Sequence, residues 1–228
     1  MIVCGVGTTG RNIITELFHA RTPVVAIDTN EHALQALREY DRPVRYSYVV
    51  GDATDDDVLA QAGIQDARGI AATLPSDKDN LYIVVAARQT NPQARIIART
   101  DKLSHVEKLK RVGADSVVAM NYIGGQRMAS EVLRPAFVRF LDAMLRDPRA
   151  TYRLWEVVIG DHSMIAGLTV REAAIRETFG VSVLAIGDGL DSWHINPGDT
   201  VRLAPGTVMI VLASSEQVGT LQLAAGAK

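Results

Sequence analysis

The chain has 228 residues, of which 47% are hydrophobic and 22% charged, with a formal net charge of −2. That describes an ordinary globular protein with apolar material for a core, long for one α/β domain and short for two full ones. A near-neutral charge without a Lys/Arg block argues against nucleic-acid binding, the single cysteine excludes an internal disulfide and fits a reducing cytosol, and no apolar run reaches the length that spans a membrane.

Ile2–Cys4 is a short apolar strand candidate, followed at once by Gly5-Val6-Gly7-Thr8-Thr9-Gly10, a G-x-G-x-x-G pattern. Arg11–Arg21 then carries Ile13, Ile14, Leu17 and Phe18 at helical spacing. Gly5 permits the tight turn, Gly7 lets backbone approach a pyrophosphate, and Gly10 lets helix pack close on strand. Free N–H groups and the positive dipole end at the helix start make an anion site. The next apolar run ends at Asp28, 18 residues past Gly10, with Thr29 beside it. An acid there accepts hydrogen bonds from an adenosine ribose and repels a 2′-phosphate, which favours NAD, ATP or ADP over NADP. The competing reading makes Asp28 a cap for the helix that begins near Asn30. At a solvent-facing strand end, removal of Asp28 is expected to spare the fold. Cys4, inside the first strand pattern, reads as a small core residue rather than a nucleophile.

Strand patterns continue at Val24–Asp28, Tyr46–Val50, Gly69–Leu74, Arg95–Ala98 and Ser116–Ala119. Helical patterns at Glu31–Tyr40, Asp55–Ala62, Asp79–Gln89 and His105–Val112 separate them. Six strands with five crossovers predict a Rossmann-like, doubly wound parallel sheet over 1–120. Ligands of such sheets bind outside the carboxyl ends of the strands. Gly51-Asp52, Leu74-Pro75-Ser76-Asp77 and Arg99 all follow strand ends, so they should ring one pocket with Gly7 and Asp28. The run Asp55-Asp56-Asp57 reads as a helix cap rather than a divalent-ion site.

Beyond Asn121 the pattern changes. Helices over Gln126–Leu133 and Ala136–Leu145, interrupted at Pro135, make 121–150 a helical crossover that ends in the linker 146–150. Val132, Leu133, Phe137, Phe140, Leu141, Met144 and Leu145 give it more apolar surface than a lone arm should expose, so a subunit contact is favoured over folding back. Residues 151–228 read as a small α+β lobe with strands at Trp155–Ile159, Val181–Ile186, His194–Ile195 and Val208–Ala213. Its helices are expected at Thr169–Thr178 and Ser215–Leu223, with a frayed tail at 224–228.

Several segments together resemble the RCK (regulator of K⁺ conductance) domains, also described as Trk-type potassium-uptake regulatory domains. They are Cys4–Gly7 with Gly10-Arg11, Ile27-Asp28, Gly51–Thr54, Asp79–Tyr82, Asn91-Pro92, Ile96–Arg99, Gly113–Asp115, Gly124-Gly125 with Arg127–Ala129, Leu133–Pro135, Ala185-Ile186 and Ile195–Pro197. The pattern looks most like RCK domains fused behind the pore of prokaryotic potassium channels. The resemblance implies an N-lobe, a dimerising crossover and a C-lobe, assembled as homodimers and octameric gating rings beneath a potassium pore at the inner face of the membrane. The pore would belong to the same longer chain or to a separate subunit, and a start at an internal methionine is expected.

The resemblance also implies ATP/ADP, NAD(H), Ca²⁺ or a cyclic dinucleotide as ligands. Carried over, Gly5, Gly7 and Gly10 would face the phosphates and Asp28 the ribose. Asp52 and Ala53 would lie beside the adenine, Leu74 to Asp77 would line the pocket, and Arg99 would meet a phosphate. Thr8 and Thr9 offer hydroxyls to phosphate, but some ATP-binding relatives carry arginine in this loop, and its absence tilts toward NAD. The competing reading of Arg99 is an ion pair with Asp52 or Asp101. Asp52 and Asp101 match the carboxylate cluster of calcium-gated relatives, but Arg99 stands where another acid would be needed. A calcium site of that design is therefore not expected.

Two other functions remain open. A NAD-dependent oxidoreductase needs a proton-transfer group beside the nicotinamide, and none of His19, His32, His105, His162 and His194 is well placed. His105 opens a helix, where it would cap or face solvent, and Tyr82 is expected to pack from its helix. A scaffold with an unused pocket is the third reading. The sequence therefore favours a regulatory domain that is not an enzyme, with no catalytic or metal residues.

Overall fold

The computed structural model describes residues 1–39, 45–146, 151–188 and 192–226. They form two compact units, Met1–Ala129 and Ser130–Lys228. Among the described residues no helix is long and apolar enough to cross a membrane.

In the first unit the strands are β1 (Ile2–Cys4), β2 (Val24–Asp28), β3 (Tyr46–Val50), β4 (Gly69–Ala72), β5 (Arg95–Thr100) and β6 (Ser116–Ala119). All pair in parallel, in the order β3-β2-β1-β4-β5-β6. Their crossovers are α1 (Thr8–His19), α2 (Glu31–Gln35), α3 (Asp56–Gln61), α4 (Asp77–Thr90) and α5 (Val106–Arg111). Val3, Val24 and Ala26 pack with Ile14 and Phe18 of α1 and Leu34 of α2. Ile2, Cys4, Ile27, Ile70 and Ile96 pack instead with Leu59, Ile83, Val84 and Leu109 from α3, α4 and α5. Alternate side chains of β1, β2, β3 and β4 feed opposite cores, which makes this the expected doubly wound, Rossmann-like fold. Burial pushes the Cys4 thiol up to about 12, so it stays protonated in the core.

Several boundaries differ from the sequence reading. Helix α1 begins at Thr8 rather than Arg11, because the last glycine of the loop lies inside its first turn. Helix α4 begins at Asp77, with Ser76 as its cap. Helix α2 stops at Gln35 and continues as a 3₁₀ turn over Ala36–Glu39; its expected end, Tyr40, lies outside the described residues. Asp55 caps α3 by accepting the Asp57 N–H at 2.9 Å.

Helix α6 (Met120–Leu133) contains the division between the two units and buries none of its residues. Helix α7 (Pro135–Arg146) follows directly, with proline at its first position, where its missing N–H costs nothing. Met128, Val132, Leu133, Phe137 and Phe140 are exposed, Val132 by 81%. Of the expected linker 146–150, Arg146 is the last residue of α7, and 147–150 lie outside the described residues.

In the second unit β7 (Arg153–Val158), β8 (Ser182–Gly187), β9 (Trp193–Ile195) and β10 (Val208–Ala213) form an antiparallel sheet in the order β7-β10-β8-β9. Val157, Ile186, Met209 and Val211 meet Ile175 and Val218 and Leu221 of α10 (Ser215–Ala224) in one core. The helix expected over Thr169–Thr178 is two, α8 (Val170–Ala173) and α9 (Ile175–Phe179). Ala173 and Ile175 are both buried, and on one continuous helix residues two apart point to nearly opposite sides, so a single packing face could not take both. Ala174 takes up the break at φ 42, ψ 45 in the left-handed region. Of the expected tail, residues 227 and 228 lie outside the described residues.

Candidate functional site

The carboxyl ends of β1 to β5 bring the loops of the first unit together. Gly5 has φ +94, and its N–H donates to the Ile27 carbonyl at 2.8 Å. The Thr73 hydroxyl donates to both the Cys4 and Gly5 carbonyls, at 2.9 and 3.0 Å. A Cβ on Gly10 would lie 1.9 Å from the Gly5 carbonyl oxygen, a distance no side chain can occupy. Gly5 and Gly10 are therefore buried residues that close the turn, not phosphate-facing ones.

Gly7 is different. A Cβ there would meet nothing within 4 Å, so nothing inside the protein requires glycine at this position. Gly7 is also the cap residue of α1, without a side-chain cap bond and with no acid in the first turn. The N–H groups of that turn and the dipole face the same exposed space, flanked by Thr8 and Thr9.

Asp28 ends β2. One carboxylate oxygen accepts the Val6 N–H at 2.6 Å and the other the Asn30 N–H at 2.8 Å. Asn30, not Asp28, caps α2 by accepting the Ala33 N–H at 3.2 Å. Asp28 thus ties the glycine turn to its own loop, and its removal costs structure as well as any ribose contact, contrary to the sequence reading. Asp52 accepts both the N–H and the hydroxyl of Thr54 at 2.8 Å. Those bonds hold its carboxyl below the usual range and outweigh slight desolvation.

Asp28, Thr29, Asp52, Ala53, Leu74, Pro75 and Ser76 line one cavity of about 290 Å³, completed by Ile27, Gly51 and Asp79. The cavity joins the ends of β2, β3 and β4, but Gly7, Asp77 and Arg99, expected in the same pocket, do not line it. Asp79 was not anticipated as a lining residue, although the Ser76-x-x-Asp79 spacing is a capping pattern that places it near the loop. Asn80 was not anticipated as an anchor. Fully buried, it accepts the Leu74 N–H at 2.9 Å and donates to the Leu74 and Arg99 carbonyls, at 2.9 and 3.2 Å.

Asp77 does not line the cavity. Its carboxylate accepts from the Thr100 hydroxyl at 2.8 Å and the Asp101 N–H at 3.0 Å, and pairs with His105 Nδ1 at 2.8 Å. Burial raises the Asp77 carboxyl, but those bonds outweigh it and leave the group below its ordinary value. His105 stands at the N-cap position of α5 but makes no side-chain cap bond, its ring being paired with Asp77 instead. Tyr82 is exposed rather than packed.

Arg99 lies near the end of β5. Its Nη2 donates to Asp101 at 2.8 Å, and its Nη1 reaches the Thr9 hydroxyl at 3.4 Å. Asp101, and not Asp52, is thus its ion-pair partner. The Arg99 Nε–H is buried and has no hydrogen-bond partner among the described residues.

With this geometry in view, residues 1–120 match the TrkA-N domain family and residues 154–226 the TrkA-C domain family. Over 226 residues the chain is 35% identical to "Probable potassium channel protein 2" of Methanocaldococcus jannaschii, covering 97% of this chain and 65% of that protein. It is 27% identical over 221 residues to a Trk system potassium uptake protein TrkA homolog of Pyrococcus abyssi, covering 94% of this chain and 92% of that protein. The crystal structure of the GsuK RCK domain covers the whole chain, and 46% of its own, at 27% identity and a TM-score of 0.50. The GsuK channel bound to NAD covers the whole chain and 38% of its own, at 26% identity and a TM-score of 0.51. The chain therefore spans just under two thirds of the potassium channel protein it matches at 35% identity.

Proposed function

The chain belongs to the family built from TrkA-N and TrkA-C domains, the RCK proteins, and on that premise we propose that it is the ligand-sensing regulatory part of a potassium channel or potassium-uptake system. The ligand is an adenine nucleotide, NAD(H) or ATP/ADP, bound along the carboxyl edge of the parallel sheet. Gly7 is the observation that carries this reading. It leaves open space before an uncapped helix start, while the glycines on either side are closed in by the protein itself. The cavity between Asp28, Asp52 and Ser76 suits the adenosine part, and the loop at Gly7 suits the phosphates.

The domain works without catalysis, as one element of a homodimer within a gating ring at the cytoplasmic side of a potassium pore. Nucleotide alters flux by binding two arrangements of that ring with different affinity. The exposed apolar residues of α6 and α7 supply the subunit contact. The test is rubidium flux through the longer protein reconstituted in vesicles, with and without nucleotide. Flux in the wild type should respond to nucleotide, and Gly7→Ala should remove the response while basal flux persists. A response unchanged in that variant would rule the Gly7 loop out as the sensor.

A further inference from the structure

The middle strands of the parallel sheet have a second end, away from the nucleotide loops, and it is not closed. Under the amino ends of β1, β2, β4 and β5 lies a cavity of about 740 Å³. The turns that follow α1 and α3 wall it, at Thr22-Pro23 and at Gly63, Asp66 and Ala67. That volume is typical of a small-ligand site. Its floor is apolar: Leu17, Val25 and Ile97 line it and are only half-buried, although helices cover both faces of this sheet elsewhere. Met1 adds a thioether that uses the space beside Gly69, where a Cβ would lie 2.9 Å from its sulfur. Such a side chain re-packs readily around an irregular ligand.

Two arginines complete the lining. Arg68 precedes β4 and Arg95 begins β5, and the Arg95 N–H donates to the Arg68 carbonyl at 3.1 Å, so their backbones are adjacent. Both residues are exposed, and neither guanidinium has a hydrogen-bond or ion-pair partner among the described residues. Arg88, Arg99 and Arg171, by contrast, are each paired with an aspartate. Asp66 is the one acid in the lining, so the balance of side-chain charge there is positive.

We infer that this cavity is a second binding site, for a single-chain amphiphile with an anionic head, of which a medium-chain fatty acid is the simplest. The hydrocarbon covers Leu17, Val25 and Ile97, and the head takes N–H groups of Arg68 and Arg95. A carboxylate or phosphate matches the flat fork of a guanidinium with two bonds at once. A wholly polar anion leaves the apolar floor wet, and a neutral hydrocarbon leaves the arginines unpaired. Only a molecule with both characters satisfies both parts of the lining. The inference does not depend on the nucleotide reading, because the cavity lies at the opposite ends of the same strands.

Calorimetric titration of dodecanoate, octanoate, dodecyl phosphate and dodecyltrimethylammonium, each below its micelle concentration, tests this. Dodecanoate and dodecyl phosphate should bind the wild type saturably. Octanoate should bind at least roughly tenfold more weakly, because each methylene taken from water strengthens binding several-fold. The cationic amphiphile should bind at least roughly tenfold more weakly than dodecanoate. The double variant Arg68→Gln, Arg95→Gln should lose roughly 10- to 100-fold in dodecanoate affinity, the loss typical of a charge-assisted hydrogen bond. Its melting temperature should stay at the wild-type value, since both residues are exposed. Arg68→Lys with Arg95→Lys should recover part of the affinity. Saturating ADP should leave dodecanoate binding unchanged; competition would move the amphiphile to the carboxyl edge and overturn the inference. No binding in the wild type, equal binding of the cationic amphiphile, or undiminished affinity in the double glutamine variant would overturn it too. Sedimentation with phosphatidylglycerol vesicles separates the sources. Capture by vesicles that requires both arginines would assign them to a bilayer surface and overturn the free ligand.

Discussion

In the parallel sheet β1 and β4 are buried at every residue, whereas β10 of the antiparallel sheet alternates between buried and half-exposed positions. Helices cover both faces of the first sheet, so its side chains can only pack, and chemistry is left to the loops at the strand ends. The second sheet has one core face, and its other face carries Val158, Glu156, Ile210, Leu184 and Ile195, which are exposed or half-buried. The same apolar content thus builds a two-sided platform in one unit and a one-sided layer in the other. A loop site needs the first arrangement, because the backbone that aims it must not move.

The largest expected effect comes from the platform. Ile70→Ala, in the middle of β4, should lose about 2–5 kcal/mol of stability by denaturant unfolding, while Ile210→Ala on the open face of β10 should lose about 1 kcal/mol or less. Equal losses would break the contrast between the sheets. Gly10→Ala comes next. Its Cβ must displace the Gly5 carbonyl, and about 3 kcal/mol should be lost with the turn, measurable in the same unfolding experiment.

Asp28→Ala should cost about 1–3 kcal/mol, because the Val6 and Asn30 N–H groups lose their acceptor. An unchanged midpoint would show those bonds to be ornamental. In the second unit Ala174→Gly should gain about 1 kcal/mol, since alanine occupies a left-handed conformation that glycine adopts freely. The smallest effect is a pH dependence. The folded Asp77 carboxyl titrates below its unfolded value of about 3.9, so its stabilisation is complete above that value and is lost as pH falls through the folded pKa. Asp77→Asn should flatten the acid limb of an unfolding-versus-pH curve and leave its neutral region nearly level.

The parallel sheet was legible because its strands are short apolar runs between helical periods, and β1, β2, β3 and β6 have the bounds that the sequence predicts. The glycine motif was legible as a motif and in its division of labour: the φ of Gly5 fits the tight turn, the approach of Gly10 to the Gly5 carbonyl fits close helix packing, and Gly7 is the open one. Asp77 and Asp79 are equally acidic and two residues apart. Which one lines the cavity depends on where Thr100 and His105 fall, more than twenty residues later. The break at Ala174 had no breaker residue to announce it, because tertiary burial of Ala173 and Ile175 imposed it.

The central claim is that the buried platform aims a nucleotide site at Gly7. The most direct measurement is thermal unfolding of the wild type and Gly7→Ala with ADP, ATP and NAD⁺. Ligand at a hundred times its dissociation constant adds about 2.7 kcal/mol, which moves a melting point by several degrees. The wild type should shift with at least one nucleotide, and Gly7→Ala should melt at the wild-type temperature without ligand and show no shift. No shift in the wild type, or the same shift in both, would contradict the account.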